Sequence, residues 1–229
     1  MIFQSFKQNP EAYSTHPFLK DSFKFVYQML ADIKPRSILD IGCASGDFLN
    51  FLPLKIQGVG IDASPALIRE AKARVLKSNI RFIKGSILDK KIFSKFKEKF
   101  DVVTIMGTLH TFLDFQPVLD AALKLASKAV IIHSPFNDAP IDVRHFHKIF
   151  GEDAYQCAYS VFSKKSISNY LRKKRVGNFR FIPFEMKTEL KRNVADPMRV
   201  YHVTVTNGER YLTNGMGILF KEYILKIFL

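Results

Sequence analysis

Ile38-Leu39-Asp40-Ile41-Gly42-Cys43-Ala44-Ser45-Gly46-Asp47 reads as a short apolar strand that ends in an acid and passes through a G-x-x-x-G turn into a helix. Glycine at 42 and 46 lets the main chain bend tightly and lets a ligand lie against backbone that a Cβ would obstruct. A dinucleotide turn would read G-x-G-x-x-G, with the helix N-terminus aimed at a pyrophosphate. The spacing here differs, and an acid beside the turn suits a ligand with a cationic amine more than one with a diphosphate. Further on, Gly58-Val59-Gly60-Ile61-Asp62 places a second acid at the tip of a second strand. A carboxylate there can accept from both ribose hydroxyls of an adenosine, because it offers two acceptor oxygens to two donors.

Outward from this pair, β-type runs at 37–41, 56–61, 80–84, 101–106 and 129–133 alternate with helical stretches at 47–52, 65–77, 90–97 and 117–127. Such alternation predicts right-handed βαβ units and a parallel sheet covered on both faces. Ser64 before Pro65 marks a helix start. A first helix over 18–33 carries Leu19, Phe23, Val26, Leu30 and Ile33 on one face, and Pro35 ends it. Beyond His133 the stretch 134–162 is rich in proline, asparagine and aspartate and is expected to be loop, carrying substrate contacts. A helix at 166–174 with Ser163 as cap, an apolar run at 179–184, two β-type runs at 199–206 and 209–213 around Asn207-Gly208, and a buried final strand at 223–228 complete the chain.

The expected fold is thus α/β and doubly wound, with a mostly parallel seven-stranded sheet, an antiparallel last strand and a small late hairpin insertion. One domain is expected over 1–229, with a cofactor core at 17–134 and a substrate side at 135–229. No apolar run is long enough to span a bilayer and no signal-peptide pattern opens the chain, so a cytoplasmic protein is expected. Two cysteines, Cys43 and Cys157, make no disulfide framework, and no zinc-type spacing exists, so no metal is expected. The formal net charge is +14, of which residues 164–229 carry +9. A basic surface favours anionic partners: nucleic acid, phosphorylated metabolites or acidic headgroups.

The motif order resembles that of the class I S-adenosylmethionine-dependent methyltransferases, by motif over 17–134. The family's glycine-rich first motif corresponds to Asp40 through Gly46, with Cys43 in the turn, and its ribose acid to Asp62 followed by Ala63. Its third motif corresponds to Phe82-Ile83-Lys84-Gly85-Ser86-Ile87-Leu88-Asp89, where many members place an acid after the glycine; here Ser86 and the Ile87 backbone would meet the adenine. The fourth corresponds to Phe100 through Gly107, so that Met106 would lie over the methyl donor. It lacks the Asn/Asp-Pro-Pro-Tyr pattern of nucleobase amine methylation, which counts against DNA adenine as acceptor. The resemblance implies S-adenosylmethionine as cofactor.

A sulfonium methyl is already activated, so such an enzyme mainly aligns the acceptor atom and excludes water, and needs a base chiefly for a hydroxyl. His110 stands where related small-molecule members often carry a histidine facing the acceptor, and is the candidate catalytic base. Tyr13, His133, Arg144, His145, Arg199 and Tyr201 are the candidate acceptor contacts, the arginines because a guanidinium pairs with phosphate or carboxylate. The expected acceptor is a small anionic molecule, a phosphorylated metabolite or nucleotide-linked sugar of surface-polysaccharide synthesis. RNA and a non-catalytic nucleotide-binding role are the alternatives. No aromatic-interleaved basic module supports RNA.

Overall fold

The computed structural model describes residues 20–148, 150, 151, 153, 155–189, 192, 200–215 and 217–229. The sheet that organises it begins with β1 (Ser37–Ile41), β2 (Gln57–Asp62), β3 (Ile80–Lys84), β4 (Phe100–Met106) and β5 (Ala126–Asn137). Between them lie α2 (Asp47–Phe51), α3 (Pro65–Arg74), a 3₁₀ turn at Lys90–Lys95 and α4 (Gln116–Leu125); α1 (Asp21–Met29) precedes β1. The fourth expected helix is this 3₁₀ turn, begun by Asp89, whose side chain accepts from Lys91 N, and burying Ile92 alone. At α3 the expected start holds, since Ser64 Oγ accepts from Leu67 N and Pro65 opens the helix.

Strand order runs β3-β2-β1-β4-β5, all parallel, and continues through β12 (Glu222–Phe228) to β8 (Phe179–Phe184). Along this path β12 runs antiparallel to both β5 and β8, as expected of the last strand. Alternate residues of each central strand enter opposite cores, as a period of two requires. Leu39, Ile41, Val103, Ile105, Val130 and Ile132 meet α4 on one face. Ile38, Val102, Ala129 and Ile131 meet α1, α2 and α3 on the other. With both faces covered, β4 and β5 are almost wholly buried.

The expected loop at 134–162 is instead largely strand. β5 continues to Asn137, and β6 (Val143–His147) pairs antiparallel with β7 (Gln156–Ser163), which also joins β5 through Phe136 and Phe162. The turn-forming residues are concentrated at the β5–β6 turn. Asn137 accepts from Ala139 N and donates to Ile141 O, and Asp142 accepts from Ser163 N at 2.6 Å. Ser163 then caps α5 (Lys164–Lys173) by accepting from Ser166 N.

The late hairpin forms with a third strand added: β9 (Tyr201–Thr204), β10 (Arg210–Thr213) and β11 (Leu219–Phe220). Asn207 and Gly208 both take positive φ, 71° and 74°, the requirement of a tight hairpin turn. Leu212, Ile218 and Phe220 pack on Tyr159 and Val161, fastening this sheet to β7. No helix among the described residues is long and apolar enough to cross a membrane.

Candidate functional site

The C-terminal tips of β1, β2, β3 and β4 stand side by side, the edge at which open parallel sheets bind ligands. The turn after β1 is built from left-handed backbone: Gly42 has φ 74°, Ala44 46° and Gly46 82°. Gly42 N and Cys43 N both donate to Ile61 O, which ties the turn to β2. The glycines themselves answer to protein neighbours. A Cβ on Gly42 would strike Thr108, and one on Gly46 the Phe82 ring at 2.6 Å. Packing on the Cβ side of the backbone and a positive φ each call for glycine at both positions.

Asp62 clamps the same turn. Its Oδ2 accepts from Ala44 N at 3.0 Å and its Oδ1 from Ser64 N at 2.8 Å. Each oxygen keeps a further lone pair, which two vicinal hydroxyls can use. Burial pushes its carboxyl above the usual range, against the pull of those two N–H groups. Ala63 is exposed beside it at the strand tip. Asp40 is 1% exposed, and Thr104 Oγ1 donates to its Oδ1 at 2.8 Å. Burial, opposed by that hydroxyl and reinforced by the charge of Asp62, pushes Asp40 up to about 7. A buried acid this ill-served by its surroundings favours a cationic ligand group nearby. Cys43 is buried, its thiol pushed up by burial and by both acids.

On the next strands, Ser86 Oγ accepts from Leu88 N at 3.2 Å, while the Ile87 side chain is core, leaving its backbone for the edge. Met106 is half-buried at the end of β4. Gly107 follows with φ 72°, and its N–H donates to His133 O. Nothing lies within 4 Å of a Cβ built there, so the backbone faces open space. Two acids, a strained turn and an open strand tip together fit an adenosine ligand with a cationic tail.

His110 lies on a 3₁₀ turn, Leu109–Thr111, stacked on Tyr159 with ring centroids 4.3 Å apart. Its Nδ1 is enclosed without a hydrogen-bond partner. Burial pulls its pKa down to about 4; nearby Glu222 opposes this, and His133 and Lys20 add to it. His133, on β5 in register with Met106, sets its Nε2 3.3 Å from Glu222 Oε2 and its ring edge-on to Phe184. Burial alone would raise the Glu222 carboxyl, but the charges of His133, His110 and Lys20 outweigh it and hold the group below the usual range.

Glu222, Tyr159 and Thr108 belong to this site and were not singled out from sequence. One signal was available for Glu222: an acid within a strongly basic stretch, immediately before an apolar strand. Arg144 Nε donates to Leu113 O at 2.6 Å, with the guanidinium over Phe162. His145 pairs with Tyr159 across the β6–β7 hairpin, and Tyr201 with Thr213 in the three-stranded sheet. Tyr13 and Arg199 lie outside the described residues. Among the described residues no group of three or more His, Cys, Asp or Glu is placed to hold a metal ion.

A family model described as a methyltransferase domain matches residues 34–178. No curated protein matches the chain. Among solved structures, the YcgJ protein from Bacillus subtilis is similar with a TM-score of 0.61 at 11% identity, covering 89% of this chain and 97% of its own. An S-adenosylmethionine-dependent methyltransferase from Clostridium acetobutylicum gives 0.56 at 12%, with 89% of each chain covered. Magnesium protoporphyrin IX methyltransferase from Synechocystis, with S-adenosylmethionine bound, gives 0.51 at 12%, covering 90% of this chain and 79% of its own. At these identities the likeness is one of fold.

Proposed function

Because the chain belongs to the methyltransferase-domain family, as a class I S-adenosylmethionine-dependent enzyme, we propose that a single domain transfers the methyl group to a small acceptor at the β4–β5–β12 edge. The observation that carries this reading is the clamp of Asp62 on the β1 turn beside the buried acid Asp40. Asp62 receives the ribose hydroxyls, and Asp40 supplies negative potential for the cationic tail. Ser86 and the Ile87 backbone flank the adenine, and Cys43, Ala63 and Met106 complete the walls. Bound there, S-adenosylmethionine supplies a methyl group on a sulfonium, already activated for displacement. The protein then has to orient the acceptor and keep water out. Tyr159, bridging His110 and Phe220, covers that end of the site.

His110 is neutral at neutral pH. Neutral, it can hydrogen-bond an acceptor, and its stack on Tyr159 fixes where it stands. An anionic substituent on the acceptor is supported by the net charge of +14 and by Arg210 and Lys221, which stand near Glu222. Acceptor-dependent release of S-adenosylhomocysteine tests the reading. Binding of S-adenosylmethionine without such release from any small molecule would leave a nucleotide-binding protein instead.

A further inference from the structure

A cleft of about 480 Å³ opens between β8, the three-stranded sheet and the start of β12. Phe184, Leu212, Phe220 and Tyr223 give it apolar and aromatic walls, and Glu222 supplies a carboxylate. Its volume is that of a small-molecule site. Arg210 and Lys221 also line it, each paired with an acid: Arg210 with Glu189 at 2.6 Å and Lys221 with Glu209 at 2.9 Å. Glu222 Oε2 is enclosed and makes no hydrogen bond, although His133 Nε2 lies 3.3 Å from it as an ion-pair neighbour. A buried carboxylate oxygen without a donor is costly, and a ligand hydroxyl would satisfy it. The strand register carries this point to the cofactor edge, for His133 pairs with Met106 on the adjacent strand.

Building on the methyltransferase reading above, we propose that this cleft is the acceptor site and takes a hydroxyl-bearing molecule with an apolar, ring-sized body. The hydroxyl donates to Glu222, and His133 holds that carboxylate in place. An amine suits the position less well, because a carboxylate favours its ammonium form, which has no free lone pair. In the transfer, the hydroxyl oxygen forms a bond to the methyl carbon as the carbon–sulfur bond of the sulfonium breaks. The electron pair of that bond stays on sulfur as a neutral thioether. The oxygen becomes strongly acidic as it is alkylated, and its proton passes to Glu222, so a carboxylate suffices as base.

The test titrates 4-hydroxyphenylpropanoate and its deoxy control 3-phenylpropanoate calorimetrically into the full chain loaded with S-adenosylhomocysteine. The hydroxyl compound is expected to bind about tenfold more tightly, the scale of one satisfied buried hydrogen bond. Glu222→Met, which removes the acceptor at similar volume, should erase most of that ratio at unchanged S-adenosylhomocysteine affinity. His133→Phe should shrink it, and His133→Gln, which restores a donor, should recover part of it. Leu212→Trp, filling the cleft from its far wall, should remove binding of both probes. Equal affinities in the wild type, an undiminished ratio in Glu222→Met, or no binding of either probe to the loaded protein would overturn the proposal. Failure of S-adenosylhomocysteine itself to bind would instead overturn the methyltransferase reading.

Discussion

Gly42 and Thr108 meet so closely that a Cβ on Gly42 would stand 2.3 Å from Thr108 Cγ2 and 2.4 Å from its Oγ1, and Thr108 Oγ1 donates to Gly42 O at 3.1 Å. The first turn of the sheet is therefore locked to the segment that carries His110. Gly42→Ala must adopt a left-handed backbone and displace Thr108, which together cost about 2–4 kcal/mol. The expected result is a lower urea midpoint for the ligand-free protein. A variant of unaltered stability that merely loses cofactor would return the glycine to the ligand.

Asp62→Ala removes the acceptor for Ala44 N and Ser64 N as well as the ribose site. Affinity for S-adenosylmethionine should fall by roughly 1–3 kcal/mol, the cost of leaving buried polar partners unpaired. Asp62→Asn keeps one acceptor oxygen and should lose less. Calorimetric titration of the two variants checks the order, and equal affinities would exclude the ribose role.

Asp40 carries a pH signature. Its folded value of about 7 lies above the ~3.9 of an unfolded aspartate, so between these the folded chain holds the proton and the unfolded chain does not. Stability contributed by this group is present below about 4 and is lost as pH rises through about 7. Asp40→Asn, still able to accept from Thr104, should gain on the wild type by up to about 1 kcal/mol per pH unit across that window. Cofactor binding runs the other way. A cationic ligand favours the carboxylate, so wild-type affinity should rise between pH 5.5 and 7, and the variant should be flat over that interval. Parallel stability profiles for the two proteins would refute the assignment.

His110 is stacked on Tyr159 and neutral near pH 7, so its packing should outweigh its basicity. His110→Phe, which keeps the stack, is expected to retain turnover to within about tenfold, whereas His110→Ala opens the roof and should lose more. General-base removal typically costs a hundredfold or more. A loss of that size in His110→Phe, with cofactor affinity intact, would make the imidazole the base in place of Glu222.

The α/β class, the five parallel strands and the edge that carries Asp40 and Asp62 were legible in the sequence because each depends on local pattern. Apolar runs of strand length, the Ser64-Pro65 helix start and the Asn207-Gly208 turn act within a few residues, and Asp40 and Asp62 stand one residue from the end and at the end of strands that a parallel sheet must align. The acceptor side was not legible, because there the partners are distant in the chain. The 134–162 stretch becomes strand only by pairing β6 with β7 and β7 with β5, and a run of turn residues at its start conceals that pairing. Glu222 becomes a site residue only when β12 inserts beside β5 and brings it to His133. Lys226, out of place in a buried strand by sequence alone, is accommodated because its Nζ reaches Met29 O at the end of α1, 3.1 Å away. Sequence thus determined the elements and the placing of Asp40 and Asp62 at one sheet edge, through local propensity and period. The cleft beside β12 and the environment of Glu222 were decided by long-range strand pairing, which fixes burial and so the cost of each charge.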